Sequence, residues 1–174
     1  MRLFLLGLLV ALYTGAASAD PRTQLRELFF DAAREGDQPR LATFIEAHYD
    51  LNIQDEKGYT GLILAAYHGQ QAAVEQLLHA GANPCVQDNH GNTALMGAIF
   101  KGELSIAHRL VNADCNADQR NHAGQTAAMY AALFHRQDIL QALKAKGADL
   151  AAKDDLGNDV QGLAQGQFRP TPSR

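Results

Sequence analysis

Between about residues 25 and 163, the chain alternates short apolar stretches with turns that contain glycine. The stretch after Thr60 has its apolar residues at helical spacing and stops at Gly69, which predicts a short helix with a narrow, alanine-rich buried face. The Thr60 hydroxyl can accept a hydrogen bond from the first free N–H groups of this helix. A second helix is predicted from Gln71 to His79, and residues 82–87 then form an extended arm leading into the next turn.

This pattern recurs every 33 residues, as in the turn glycines Gly58, Gly91, Gly124 and Gly157. One helix pair cannot bury its apolar face alone, whereas stacked pairs can, so neighbouring units are expected to stabilise one another. The sequence predicts one repeat domain over residues 20–164, with repeats at about 22–54, 55–87, 88–120 and 121–153 and a partial repeat at 154–164.

The repeated unit resembles the ankyrin repeat family. The resemblance is carried by residues 58–66, which read GYTGLILAA, then by Gly69, residues 74–78 and the sequence Gly81-Ala82-Asn83. It implies an all-α, ankyrin-type solenoid of helix-turn-helix repeats joined by short extended or β-turn arms, with about four full repeats and a partial C-terminal cap. It also implies a non-catalytic scaffold for protein–protein interaction, and the sequence contains no nucleophile elbow, phosphate-binding glycine loop or HExxH motif.

The chain departs from the family pattern in three ways. The family's Thr-Pro-Leu-His reads TGLI, TALM and TAAM here, so the histidine that joins adjacent loops is missing and looser turns are expected. Asp114 stands where Gly81 and Gly147 would cap their helices, which predicts a weaker cap at that position. His135 replaces the glycine that follows the first helix in the other full repeats.

In this family, partners usually contact the turn tips and the exposed side of the first helices, which line a concave surface. Tyr59, Tyr67, Phe100 and Phe134 would form an aromatic stripe there, and aromatic side chains are common anchors of protein interfaces. The alternative is that some of these rings fold inward and fill gaps between helices. The candidate partner-binding residues, carried over by position, are Glu56, Lys57, Tyr59, Tyr67, His68, Asn89, His90, Asn92, Phe100, Lys101, His122, Gln125, Leu133 and Phe134.

The histidines suggest an alternative function. His68, His90 and His122 could face one surface from adjacent repeats, and imidazole is a common ligand of transition metals. The alternative is an accessory protein that handles haem or a metal for an exported enzyme, such as a catalase in oxidative-stress defence. No histidine pair has i, i+4 spacing and no carboxylate or thiol completes a ligand set, so neither a cofactor nor a metal site is predicted.

Cys85 and Cys115 are the two cysteines, and they lie in consecutive arms of the predicted stack. An oxidising compartment would favour a disulfide between them. Neighbouring repeats lie roughly 10 Å apart, whereas bridged Cα atoms need about 4.4–6.8 Å. Their offset of three residues from exact register could close that gap or widen it, so a disulfide and a pair of small buried thiols both remain possible at this stage.

Residues 1–19 have the order of a secretory signal peptide: Arg2, an apolar run from Leu3 to Tyr13, and the small residues Ala17-Ser18-Ala19. We expect cleavage before Asp20 and a periplasmic or secreted protein, the short peptide favouring a bacterial source. A retained membrane anchor is the alternative, although the run is shorter than the ~20 residues that span a bilayer. Residues 165–174 lack apolar periodicity and are predicted to form a flexible tail.

The composition limits the class of partner. The chain has 47% hydrophobic and 20% charged residues, as ordinary globular domains do, and a net charge of −4. This acidic balance argues against nucleic-acid binding, which needs clustered cations, and against a polybasic contact with membranes. We therefore expect a protein partner, no nucleic acid, no membrane contact after removal of the signal peptide, and a monomeric chain.

Overall fold

The computed structural model describes residues 20–167 and 169. The predicted signal peptide lies outside the described residues, as do residues 168 and 170–174 of the predicted tail. The described part contains nine helices and no strand, which confirms the all-α prediction. The helices are α1 (Pro21–Glu35), α2 (Gln38–Glu46), α3 (Gly61–Tyr67), α4 (Gln71–His79), α5 (Ala94–Lys101), α6 (Leu104–Val111), α7 (Ala127–Leu133), α8 (Gln137–Ala145) and α9 (Val160–Ala164).

The helices stack in two layers, as a solenoid requires. The first helices of successive repeats, α1, α3, α5, α7 and α9, pack side by side, and the second helices α2, α4, α6 and α8 pack in a parallel row. Alanines let the first helices approach closely: Ala65, Ala98 and Ala131 are fully buried at the same repeat position. Larger side chains such as Leu77 and Ile139 fill the space between the layers. The core is therefore continuous from α1 to α9, and each repeat buries its apolar face on its neighbours.

Three of the first helices begin with a capping threonine. The Oγ1 atoms of Thr60, Thr93 and Thr126 accept hydrogen bonds from the main-chain N–H three residues later, at 3.2, 3.4 and 3.4 Å. In the partial repeat, Asp159 Oδ1 accepts from the Gly162 N–H at 2.9 Å in the same way. Each cap contributes about 1 kcal/mol and fixes where the helix begins, which also fixes the turn tip before it.

The turn tips are joined by side chains at one repeat position, although the family's histidine is missing. Gln54 Nε2 donates to the Gly58 carbonyl within its own turn at 2.6 Å and to the Gln87 carbonyl of the next repeat at 2.8 Å. Gln87 makes the equivalent pair of bonds one repeat later, and Arg120 Nη1 makes the third pair. Looser turns were expected from the missing histidine, and these bonds provide another connection between adjacent loops.

The arm after α6 differs from the arms after α4 and α8. Gly81 and Gly147 cap those two helices with φ angles of 91° and 89°, whereas Asp114 at the same position does not adopt a positive φ. Cys115, the next residue, forms a disulfide with Cys85 in the preceding arm, with the two Cα atoms 5.6 Å apart. The three-residue offset thus closes the distance between neighbouring repeats, and the disulfide joins the 55–87 repeat to the 88–120 repeat.

The described residues after α9 fold back on the last repeat. The Gln167 N–H donates to the Gly162 carbonyl at 2.8 Å, and the Arg169 N–H donates to Asn158 Oδ1 at 2.7 Å. The flexibility of residues 165–174 stays a prediction from the sequence. Over the described part of the chain, no helix combines the length and the apolar character that crossing a membrane needs.

Candidate partner-binding surface

Three aromatic side chains form a row across the ends of the first helices. Tyr67 and Phe100 stack with ring centroids 6.2 Å apart and an interplanar angle of 15°. Phe100 contacts Phe134 edge to face, with centroids 5.3 Å apart. We call Tyr67, Phe100 and Phe134 the aromatic row. Tyr67 and Phe100 occupy one position of the 33-residue repeat, so the stacking of the repeats aligns their rings. Phe134 lies one residue beyond that position, which Leu133 occupies in its repeat.

The aromatic row is exposed at one end and half-buried at the other. Tyr67 and Phe100 are 39% and 48% exposed. Phe134 is half-buried and also contacts Tyr130, with ring centroids 6.0 Å apart. The Lys101 ammonium lies 5.0 Å from the centre of the Tyr67 ring, a cation–π contact within the chain. The exposed end of the row is therefore the part that a partner can reach.

Two adjoining pockets lie beside the exposed end of the row. The first, which we call the tip pocket, has a volume of about 470 Å³ and is lined by Glu27, Arg34, Asp55, Glu56, Lys57, Tyr59, Ile63, Leu64, Tyr67 and His68. The second, the aromatic pocket, has a volume of about 200 Å³ and is lined by Tyr59, Ile63, Tyr67, Asp88, His90, Asn92, Thr93, Met96, Gly97, Phe100 and Tyr130. The two pockets share Tyr59, Ile63 and Tyr67, so together they form one groove.

The C-terminal part of the concave surface is filled by its own hydrogen bonds. Asn121 Nδ2 donates to Asn92 Oδ1 at 2.9 Å, to Gln125 Oε1 at 3.1 Å and to the Tyr130 hydroxyl at 3.3 Å. The Tyr130 hydroxyl in turn donates to Asn92 Oδ1 at 3.1 Å. We call Asn92, Asn121, Gln125 and Tyr130 the amide network. Its polar groups already have partners, so they offer less to a ligand than the open pockets do.

Two tyrosines of the concave surface titrate above their usual range. Burial raises the pKa of Tyr130, the hydrogen bond with Asn121 opposes this rise, and the Asp88 carboxylate adds to it. Burial also raises the pKa of Tyr59, and the carboxylates of Asp88 and Asp55 add to that effect. The Asp88 carboxylate, which also lines the aromatic pocket, thus raises the pKa of both tyrosines.

The predicted partner-binding residues fall into two groups. Glu56, Lys57, Tyr67, His68, Asn89, His90, Phe100, Lys101 and His122 are exposed, whereas Tyr59, Asn92, Gln125, Leu133 and Phe134 are half-buried. Asn92 and Gln125 belong to the amide network, and Leu133 and Phe134 pack against the core. Leu133 and Phe134 thus agree with the alternative interpretation, in which some side chains fill gaps between helices. A role in partner binding stays a prediction for all of these residues.

Tyr130 was not among the predicted surface residues, yet it lines the aromatic pocket. The corresponding residue of the preceding repeat is Gly97, and a Cβ atom there would lie 3.7 Å from the Tyr67 ring. The sequence does show that one repeat position changes from Gly97 to Tyr130, and this change could have indicated a pocket beside the tyrosine. Its meaning becomes clear only when adjacent repeats are placed side by side.

The three histidines proposed for metal or haem binding are exposed at successive tips or helix ends. The His122 main-chain N–H donates to the His90 carbonyl at 2.9 Å, so their main chains belong to the ladder of bonds between tips. Within residues 20–167 and 169, no group of three or more His, Cys, Asp or Glu side chains could hold a metal ion. Haem or metal handling stays a prediction from the sequence.

Comparison with known families agrees with the architecture. Residues 29–121 and 73–154 each match the family model described as ankyrin repeats (3 copies). The two matches overlap and extend together from residue 29 to residue 154, which is more than half of the 174 residues. A comparison with curated proteins finds no match.

Proposed function

Because the chain belongs to the ankyrin repeat family, whose members generally bind other proteins and are typically non-catalytic, we propose that it is a scaffold for a partner protein. The proposed contact surface is the groove of the tip pocket and the aromatic pocket. The observation that carries this proposal is the exposed pair Tyr67 and Phe100, which stack on each other beside two open pockets. Exposed aromatic side chains next to a pocket are typical of binding hot spots.

The binding mechanism is presentation of a preformed surface. The threonine caps fix the starts of α3 and α5, and the Gln54 and Gln87 side chains hold the tips between them. The Asn89 N–H also donates to the Lys57 carbonyl at 3.0 Å, which joins two adjacent tips directly. A surface that is already ordered loses little conformational entropy on binding, so more of the contact energy appears as affinity.

We further propose that the protein acts outside the cytoplasm, in the periplasm or after secretion. Two observations support this proposal: the signal-peptide pattern of residues 1–19 and the disulfide between Cys85 and Cys115. Structural disulfides persist in oxidising compartments and are rare in the cytosol. Intact mass of the protein from its native cell tests the proposal: it predicts a chain that starts at Asp20 and has no free thiol. A chain that retains residues 1–19 with two free thiols would contradict it.

The docking surface is tested by differential capture. Wild-type protein and the double variant Tyr67→Ala/Phe100→Ala are immobilised and exposed to the same extract of the native compartment. We expect partners of the wild-type protein to be lost by the double variant, with affinity reduced by about 2 kcal/mol or more, since truncated hot-spot residues cost this much. Circular dichroism should show the same helix content for both proteins, because both rings are exposed.

The matched control is Leu25→Ala/Leu28→Ala. These two leucines are 45% and 48% exposed on α1, and neither lines either pocket. This variant also removes two exposed apolar side chains, and it should retain the same partners. If Tyr67→Ala/Phe100→Ala captures the same proteins as the wild type, the groove is not the docking surface.

A further inference from the structure

The groove carries more carboxylates than cations, and this charge indicates which side chains a partner can place there. Three carboxylates line the tip pocket, on Glu27, Asp55 and Glu56, and the cations there are Arg34 and Lys57. Arg34 is already neutralised, because its guanidinium lies 2.6 Å from Asp31 Oδ1 and 3.9 Å from Asp55 Oδ2. Among the residues that the structure describes, Glu27 and Glu56 form no ion pair. The pocket therefore has an excess of negative charge that its own cations do not balance.

The wall between the two pockets is suited to a cationic side chain. Tyr59 and Tyr67 belong to both pockets, so they line the space beside the carboxylates and also the more apolar space of the aromatic pocket. A ring face attracts an ammonium or guanidinium group, and the Lys101 contact at 5.0 Å shows that the Tyr67 ring accepts one. Asp88, which is buried at the aromatic pocket, adds to the negative field around Tyr59.

The aromatic pocket is suited to a large apolar side chain. Its floor and sides include Ile63, Met96, Gly97 and Phe100, and its volume of about 200 Å³ is smaller than that of the tip pocket. Gly97 contributes no side chain, which keeps this space open. Because the two pockets adjoin, neighbouring side chains of one peptide segment can enter both of them.

We propose that the groove binds a segment of the partner protein that presents a Lys or Arg side chain beside a large apolar side chain. The apolar side chain enters the aromatic pocket, and the cationic side chain lies against Tyr59 and Tyr67 and faces Glu27 and Glu56. This inference rests on the proposed function, which states that the groove is the docking surface. It adds the charge and the side-chain pattern of the partner segment.

The test starts with a displayed library of random peptides, selected on the oxidised full chain. We expect the selected peptides to be enriched in Lys or Arg within a few positions of Phe, Leu, Met, Tyr or Trp. One selected peptide is then synthesised with a fluorescent label, together with a copy in which Glu replaces the basic residue. The copy should bind at least tenfold more weakly in fluorescence anisotropy, because it places a carboxylate against Glu27 and Glu56.

Variants of the chain then test which groove residues cause the preference for a basic peptide. Glu27→Gln/Glu56→Gln should weaken binding of the basic peptide about fivefold, in the range of exposed ion pairs, and Lys57→Gln should strengthen it about twofold. Both effects should diminish in high salt. The control is Glu46→Gln, an exposed carboxylate at the end of α2 that lines neither pocket, and this change should leave the affinity unaltered.

The other outcomes separate two claims, namely that the groove is the docking surface and that the partner segment is cationic. If peptides require Tyr67 and Phe100 but show no basic enrichment, or bind Glu27→Gln/Glu56→Gln as tightly as the wild type, the cationic partner is rejected and the docking surface stands. If no recovered peptide requires Tyr67 and Phe100, the docking surface and the inference are both rejected.

Discussion

The two halves of the concave surface share one framework but differ in what their side chains leave free. In the N-terminal half, Tyr59 and Tyr67 border two open pockets. Glu27 and Glu56 line the tip pocket, and neither forms an ion pair within the part of the chain that the structure describes. In the C-terminal half, the corresponding space holds the amide network around Asn121. Because the two halves share the helical framework, a few side chains at equivalent repeat positions account for where open pockets remain.

Two repeat positions account for most of this difference. The tip residue is Tyr59 in one repeat but Asn92 and Gln125 in the next two, and the residue four positions earlier is Asp55, Asp88 and then Asn121. An amide side chain both donates and accepts, so Asn121 can bond to its neighbours, whereas a carboxylate accepts only. The network therefore forms in the repeats with amides at these positions, and the groove lies at the preceding repeat, which has Tyr59 and Asp55 instead.

The largest expected effect concerns the disulfide, which joins two neighbouring repeats. The disulfide connects the 55–87 repeat to the 88–120 repeat and closes a loop with a sequence separation of 30. Replacing both cysteines, as Cys85→Ala/Cys115→Ala, should lower the free energy of unfolding by about 3 kcal/mol, measured by urea denaturation. Peptide affinity should be unchanged, since neither cysteine lines the groove. A loss below about 1 kcal/mol would show that the bond adds little to the stack.

A smaller effect is expected from the centre of the amide network. Asn121→Ala removes the donor to Asn92, Gln125 and Tyr130, and also the Oδ1 acceptor for the Ala123 and Gln125 N–H groups. We expect a loss of about 2 kcal/mol, because buried polar groups are left without partners. Asn121→Asp is the matched control, since it retains the acceptor and reproduces Asp55 and Asp88. It should lose about half as much, and equal losses would contradict the proposed role of the Nδ2 donor.

The tyrosine hydroxyls provide a direct comparison of the two halves. Tyr130→Phe removes the hydroxyl that bonds to Asn92 and Asn121 and should cost about 1 kcal/mol of unfolding free energy. Tyr59→Phe should cost less than about 0.5 kcal/mol, because no side-chain hydrogen bond of the described residues involves that hydroxyl. If the two substitutions destabilise the chain equally, the halves do not differ in the way described.

The smallest effect is a change in alkaline stability. The raised pKa of Tyr130 means that the folded chain holds this proton more tightly than the unfolded chain does, for which the ordinary value is 10.0. The resulting stabilisation is fully present below pH 10 and is lost as pH rises through the higher pKa of the folded state. The free energy of unfolding of Tyr130→Phe should therefore fall less steeply with rising pH than that of the wild type. Identical slopes would show that this hydroxyl does not contribute.

The fold could be predicted from the sequence because its signals are local and repeated. Turn glycines, capping threonines and buried alanines recur every 33 residues, and each of them acts within one repeat or on its immediate neighbour. Alignment of Tyr67 with Phe100 follows from the same regularity, whereas Phe134 lies one residue beyond the equivalent position. The all-α solenoid therefore needed no information beyond the register of the residues.

The site was less predictable, because it depends on contacts across repeats. The amide network joins Asn92 to Tyr130, which lie 38 residues apart, through side-chain orientations that no pattern specifies. The sequence likewise left the disulfide undecided, because it does not give the distance between the arms that carry Cys85 and Cys115. Predicting either feature requires the neighbouring repeats in three dimensions.

The most direct test of the central claim is amide hydrogen exchange of the full chain with and without a saturating selected peptide. The account predicts added protection within residues 55–68 and 88–101, which supply most of the groove's lining, and little change elsewhere within residues 121–134 or in α4 and α6. Protection confined to residues 121–134, or to the second helices, would contradict the claim that partners bind in the open half of the concave surface.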